Sequence, residues 1–181
     1  MPYIPYNIIA FLAKSPKAEN LWKILAYNTY DCLAKPNLTL KEKMNLVWNG
    51  QDRQENYNVF LTYLVGNMQI EAKTVLKLFQ YDVAPINKNI STVTYEFDIL
   101  IGQKTAMIDY YGIPCNRAEV FESELLRVLN GTDVGGVGLL SFDMQLSRSA
   151  RTYFNMGNNS TFTGISLIMA IQVSDNSNEE C

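Results

Sequence analysis

The clearest pattern along the chain is an alternation of apolar and polar side chains over Thr92–Ile101, interrupted only by the apolar Leu100. The apolar positions are Val93, Tyr95, Phe97, Ile99 and Ile101. Successive side chains of an extended strand point to opposite sides, so these five share one face and Glu96 and Asp98 lie on the other. One buried and one wet face are typical of a strand in an antiparallel sheet. Phe162–Val173 repeats the alternation and predicts a second strand of this kind.

Weaker strand signals lie before and between these two segments. Asn58–Leu64 and Thr74–Ala84 are rich in residues that favour strands. Asp82–Asn89 contains a proline and two asparagines, and it predicts the connection of a hairpin. Val137–Phe142 predicts a short strand, whereas the polar composition of Ser147–Ser160 predicts a loop.

Apolar residues at three- and four-residue steps predict helices in the first fifty residues and between the strands. A serine followed by a proline predicts the start of a helix over Pro16–Ala34. Thr39 and Glu42 have the spacing of a capping box, which predicts a short helix through Trp48. A further helix is predicted over Asn116–Leu129, with its first residue as the N-cap and an Asn-Gly pair at its end.

The order of these elements predicts an α+β fold, with a mainly antiparallel sheet backed by one helix and an N-terminal helical segment. A length of 181 residues suits one well-buried core with an appendage. We divide the chain into a helical segment (residues 1–56), an α+β domain (residues 57–173) and a polar tail (residues 174–181) that we expect to be mobile.

Composition argues against catalysis. The chain contains no histidine, which is the commonest general base near neutral pH and the commonest metal ligand. Cys32, Cys115 and Cys181 are odd in number and widely spaced, so they predict free thiols, with no metal site or redox pair. We therefore predict a protein that is not an enzyme and has no cofactor, with no catalytic, cofactor-binding or metal-binding residues.

The net charge of −3 supplies no general attraction to phosphate groups, so we predict no specific nucleic-acid binding. The apolar stretch over Ile8–Ala13 is too short to span a bilayer, and no basic region precedes it. We therefore predict no membrane partner.

Three groups of residues are candidates for contact with a partner. A glycine-rich segment containing Gly135, Gly136 and Gly138 follows a helix and lacks the Gly-Lys-Ser/Thr of a phosphate-binding loop, so a flexible connector or a loop lying against a neighbouring subunit is favoured. Arg148 and Arg151 would suit a partner's carboxylates, although ordinary surface charges explain them equally well. Arg117 is open to the same two interpretations.

The third group consists of Trp22 and Trp48 on the helical segment, which are core anchors or docking residues. Glu96 and Asp98 raise a different possibility, since two carboxylates on one strand face could support acid–base chemistry or bind a hard cation. The simpler interpretation of this pair is the solvated face of a sheet.

A family resemblance rests on the order of the elements from Thr74 onward. A strand hairpin (Thr74–Ile101), a helix ending in "LNG", a short strand and a last strand beginning "FTGISLIM" resemble the small tail-terminator, tail-completion and neck proteins of tailed bacteriophages. The resemblance covers Tyr57–Val173 and depends on element order, without a signature motif.

This resemblance implies a structural virion protein that forms a ring at the head–tail junction and leaves a channel through which DNA passes. The implied partners are copies of itself and other phage neck, portal or tail-tube proteins. The protein would be made in the host bacterial cytoplasm and would end up in the virion. Two alternatives remain: a small-ligand-binding α+β domain or enzyme that uses Glu96, Asp98 or a tyrosine, and an adaptor that binds another protein through its helical N-terminus.

Overall fold

A computed structural model of the chain describes residues 3–64, 72–134, 138–142, 151–155 and 162–174. These residues form four α-helices and nine β-strands. The helices are α1 (Ile4–Lys14), α2 (Glu19–Ala26), α3 (Leu40–Asn45) and α4 (Arg117–Leu129). The strands are β1 (Val59–Phe60), β2 (Thr74–Pro85), β3 (Ile90–Gly102), β4 (Met107–Tyr110), β5 (Ile113–Asn116), β6 (Thr132–Asp133), β7 (Leu139–Leu140), β8 (Arg151–Asn155) and β9 (Phe162–Ser174).

The main sheet has five strands in the order β1-β2-β3-β9-β8. All neighbours are antiparallel except β1, which pairs with β2 in parallel over two residues. β4 with β5 and β6 with β7 form two separate hairpins. The α+β class, the mainly antiparallel sheet and the N-terminal helical segment predicted from the sequence are confirmed.

The alternating residues of β3 and β9 face a core that is closed by helices. Leu78, Phe97 and Leu167 stand side by side across β2, β3 and β9, and all three are fully buried. α1 and α2 pack against β2, whereas α4 packs against β3 and β9. The sequence predicted one helix behind the sheet, and the structure places α1 and α2 there as well. The helical segment and the sheet therefore share a single apolar core.

α1 was missed as a helix because the contiguous apolar stretch Ile8–Ala13 hides the four-residue steps of Ile4, Ile8 and Leu12. A proline in its first turn suits a helix start, and Ile8, Ile9 and Leu12 are buried. In the part of the chain that the structure describes, no helix is long and apolar enough to cross a membrane.

The helix predicted over Pro16–Ala34 is shorter than expected. A 3₁₀ turn at Pro16–Ala18 leads into α2, which ends at Ala26. The interpretation of Arg117 as a surface charge or partner contact is wrong, because its side chain is fully buried within the chain. The Arg117 guanidinium donates hydrogen bonds to the carbonyls of Ile24 (3.1 Å), Tyr27 (3.1 Å) and Thr29 (2.6 Å). These carbonyls accept hydrogen bonds from Arg117 in the last turn of α2 and in the residues just after it.

Asn58 forms a second link between α2 and the sheet. Its side-chain amide donates to the carbonyl of Leu25 at 2.8 Å and to that of Thr74 at 2.9 Å. Asn58 is buried, so both of these bonds lie inside the core. Arg117 and Asn58 together join the end of α2 to α4, β2 and the segment before β1.

Two of the three predicted helix caps, at Thr39 and Asn116, lie where the sequence placed them, whereas the Ser15 side chain forms no capping hydrogen bond to the 3₁₀ turn that follows it. Thr39 and Glu42 form the full capping box of α3, which ends at Asn45 and so falls short of the predicted end at Trp48. The Asn116 side chain accepts the amide of Ala118 at 2.9 Å at the start of α4.

The loop predicted over Ser147–Ser160 is wrong in its middle, where β8 pairs with β9. Thr, Tyr and Phe in β8 favour strands, but the polar residues on either side hid that signal. The short strand predicted over Val137–Phe142 is reduced to β7, and Ser141 after it forms a bridge with Ala170.

Candidate interaction surfaces

The two tryptophans lie on opposite sides of the sheet. Trp22 is 1% exposed and donates from Nε1 to the carbonyl of Leu12 at 3.0 Å. Trp22 is therefore a core anchor and not a docking residue. Trp48 lies against Phe60 on the far side, with their ring centroids 5.9 Å apart. Its Nε1 donates to the carbonyl of Asp52 at 2.8 Å. Trp48 is half-buried and is the one of the pair that reaches the surface.

The glycine and arginine candidates are only partly described. Gly135, Gly136 and Arg148 lie outside the described residues. Arg151 is the first residue of β8, where its backbone pairs with Leu167.

Gly138 lies against β9 of its own chain. Its φ is +129°, and a β-carbon built on it would stand 2.8 Å from the carbonyl oxygen of Gln172. The described candidates thus fall at four separate places: the core (Trp22), the far side of the sheet (Trp48), the start of β8 (Arg151) and the β6–β7 hairpin (Gly138).

The face of the sheet opposite the helices, which we call the outer face, carries a row of polar residues across three strands. Lys77 of β2 forms an ion pair with Asp98 of β3 at 2.8 Å, and Ser166 of β9 donates a hydrogen bond to Glu96. Burial raises the pKa of Glu96, and the nearby Asp98 adds to this, whereas the Ser166 hydroxyl and Lys77 act in the opposite direction. The sequence could not indicate this burial, because it depends on which strands flank β3.

This polar row has few of the features of a metal or catalytic centre. Asp98 is engaged with Lys77, and the Glu96 carboxylate accepts the Ser166 hydroxyl. Among the described residues, no group of three or more His, Cys, Asp or Glu side chains could hold a metal ion.

The hairpin of β2 and β3 extends as an arm, which we define as Gln80–Ile90. Gln80–Pro85 is exposed at every position, and the register shifts between Gln80 and Asp82 in the manner of a β-bulge. Apolar side chains of the arm are exposed in an unusual number: Tyr81 (60%), Val83 (44%), Ile86 (54%) and Ile90 (37%).

The tip of the arm is held by one asparagine. The Asn87 side-chain oxygen accepts the backbone amides of Asn89 at 2.9 Å and Ile90 at 3.0 Å. The amide of Ile86 donates to the carbonyl of Ile90 at 2.9 Å. These bonds close the four-residue turn and present Ile86 at the end of the arm.

The sheet has an open edge on each side. β1 pairs with β2 at Leu76 and Lys77, and no described residue pairs with the outer side of β2 beyond that point. On the other side, β8 pairs with β9 as far as Leu167, and Ser141 pairs with Ala170. Beyond Ala170, β9 has no partner on that side among the described residues. Unpaired amide and carbonyl groups on such edges are available to another strand.

A groove lies beside the open edge of β9. It has a volume of about 550 Å³ and is lined by Thr92, Gly131, Leu139, Ser141, Ala170, Ile171 and Gln172. No charged side chain is among these residues, and Leu139 is 62% exposed. Sequence reasoning missed both the arm and the groove, because neither depends on a motif.

Comparison with known proteins identifies one family. A model of YomW, a phage-derived family, matches residues 18–171 and so covers α2, the main sheet and α4. No curated protein matches the chain.

Proposed function

The chain belongs to the YomW family, and from this phage-derived membership and the open edges of its sheet we propose that it is a structural protein of a tailed bacteriophage that forms a ring at the head–tail junction. In this role it would be a tail terminator or a neck protein, without catalytic activity. Copies of itself would be its first partners, and portal, neck or tail-tube proteins would lie above and below the ring.

The observation that carries this proposal is that, among the described residues, no strand pairs with the outer side of β2 beyond Lys77 or with that of β9 beyond Ala170. A closed ring needs two different patches on each subunit, so that one patch meets the other on the next copy. Strand edges are suitable patches, because a neighbour's strand can complete their backbone hydrogen bonds.

The overall charge fits passage of DNA through the channel of such a ring. A net charge of −3 gives no general attraction for the phosphate backbone, so a genome would slide without being held. The place of the protein would be the virion, after synthesis in the cytoplasm of the host bacterium.

The proposal is tested on purified phage particles of a strain that encodes this chain. We expect mass spectrometry to detect the chain in intact particles, and we expect crosslinking to connect it to portal, neck or tail-tube proteins. Light scattering of the purified chain measures self-association separately. A chain that is absent from every particle would refute the structural role, whatever its oligomeric state.

A further inference from the structure

We infer that the arm, Gln80–Ile90, is the donor half of the contact between subunits and that it seats in the groove beside β9 of the next copy. This inference rests on the ring in the proposed function and names the two surfaces that form it. The partner is a second copy of this chain.

The exposure of the arm is the first argument. Its apolar side chains Tyr81, Val83 and Ile86 are all more than two-fifths exposed. A hairpin that keeps such residues in water without a partner loses the free energy that their burial would supply, about 25 cal/mol for each Å² of apolar surface. Contiguous exposed apolar residues of this kind mark contact surfaces.

The fixed conformation of the arm is the second argument. Asn87 holds the tip through two backbone amides, and antiparallel pairing with β3 holds the strand up to Pro85. A contact element that is already ordered loses little conformational entropy on binding. The arm is therefore prepared to dock as a rigid element.

The groove matches the arm in size and polarity. Its volume of about 550 Å³ is within the range of about 300–1,000 Å³ that holds a drug-sized ligand, so it has room for several side chains of a hairpin tip. Leu139, Ala170 and Ile171 supply apolar surface, and Thr92, Ser141 and Gln172 supply neutral polar groups. The apolar side chains of the arm can enter this groove, whereas its two charged residues, Asp82 and Lys88, stay outside in water, because burying either one unpaired would be costly.

The positions of the two surfaces favour a copy of the same chain as the occupant. Ala84 of the arm pairs with Thr92, which lines the groove and pairs with Gln172, so the arm stands at one edge of the sheet and the groove extends at the same level from β3 to the other edge. Each subunit thus offers one arm and one groove. Copies related by rotation can repeat the same contact until the ring closes.

Crosslinking between two single-cysteine variants tests the contact in the full chain. Both variants carry Cys115→Ser and Cys181→Ser, and Cys32 stays because it is fully buried. One variant has Ile86→Cys in the arm, and the other has Leu139→Cys in the groove. A matched control replaces the arm cysteine with Tyr111→Cys, which is 77% exposed on the separate β4–β5 hairpin.

Mild oxidation of the arm and groove variants together should give a crosslinked dimer, and either variant alone should give none. Because a contact raises the effective concentration of the two thiols, we expect about tenfold more dimer than with the Tyr111→Cys control. A dimer from the Ile86→Cys variant alone would overturn the inference, since arm would then meet arm.

Equal crosslinking in the mixture and the Tyr111→Cys control would also overturn the inference. Light scattering on the same samples then separates the two proposals. If multimers are present without the arm–groove crosslink, the ring stands and uses other surfaces. If the chain instead stays monomeric and is missing from phage particles, the proposed ring is refuted together with the arm–groove contact.

Discussion

At the scale of single residues, Arg117 has the largest structural consequence. Its guanidinium is buried, and in the described part of the chain it donates to backbone carbonyls and to the Thr74 hydroxyl instead of pairing with a carboxylate. The carbonyls at the C-terminal end of a helix carry partial negative charge, so the end of α2 compensates part of the cost of burying the cation. Burial still lowers the pKa of Arg117. The sequence offered no signal for this role, because it depends on α2 and α4 meeting in space.

Arg117→Met should destabilise the fold strongly. Methionine retains much of the side-chain volume but leaves the carbonyls of Ile24, Tyr27 and Thr29 without their donor, and we expect the free energy of unfolding to fall by about 3 kcal/mol. Urea denaturation followed by circular dichroism measures the change. Arg53→Met, at an exposed ion pair 3.8 Å long, is the control and should leave the midpoint almost unchanged. Equal effects of both substitutions would contradict the view that the buried Arg117 guanidinium stabilises the end of α2.

Glu96 predicts a specific pH dependence of stability. Burial raises its pKa above the ordinary value of 4.5, so the folded state holds this proton more tightly than the unfolded state. The stability from this site is therefore fully present below the unfolded pKa and is lost as pH rises through the folded pKa. Glu96→Gln should remove this loss, so that the variant gains stability relative to the wild type as the pH rises above the ordinary pKa of 4.5.

Ser166→Ala provides a companion test, because it should enlarge the loss of stability that Glu96→Gln removes. The Ser166 hydroxyl lowers the pKa of Glu96, so its removal should extend the loss of stability to higher pH. Lys77 and Asp98, which face the same carboxylate, are unchanged in both variants. Urea midpoints across the pH range measure both effects, and parallel curves for Glu96→Gln and the wild type would rule out a raised pKa.

At the scale of elements, the helical segment and the sheet depend on each other. α1 and α2 cover β2, and their buried residues lie in the same apolar cluster as those of β3 and β9. Without these helices, the inner face of β2 would be open to water. Covering that face contributes to the stability of the sheet through the burial of apolar area.

Separating the chain after residue 56 tests this dependence. We expect residues 57–181 alone to show no cooperative unfolding transition, and we expect the fold to return when residues 1–56 are added. Both tryptophans, Trp22 and Trp48, lie in the shorter fragment, so fluorescence reports its binding directly. A shift of emission to shorter wavelength should appear on mixing, because Trp22 becomes buried, and Trp22→Phe should remove most of it. Cooperative folding of residues 57–181 alone would support an independent domain instead.

The elements that sequence reasoning found are those whose signal is local. β3 and β9 alternate over most of their length, and α3 and α4 carry capping residues at their N-terminal ends. α1 and β8 were missed because the evidence for them lies in their neighbours. The apolar stretch in α1 packs as a helix against β2, and β8 forms by pairing with β9.

At the scale of the whole molecule, the properties that bear on function are edges and surfaces. Which strands stand at the ends of the sheet depends on pairings between distant parts of the chain, such as β3 with β9. The sequence therefore indicated the fold class but named contact candidates that fall in separate places. The arm and the groove emerge only after the pairing places them on opposite edges of the sheet.

The close approach of Gly138 to Gln172 has a consequence for how the groove responds to mutation. The spacing between the β6–β7 hairpin and β9 depends on one missing carbon atom. Because Gln172 also forms part of the groove wall, even an alanine at position 138 would move two walls of the cavity apart while the helix-backed core stayed intact. A single small substitution at this position would thus change how closely a neighbouring subunit packs into the groove, without unfolding the protein.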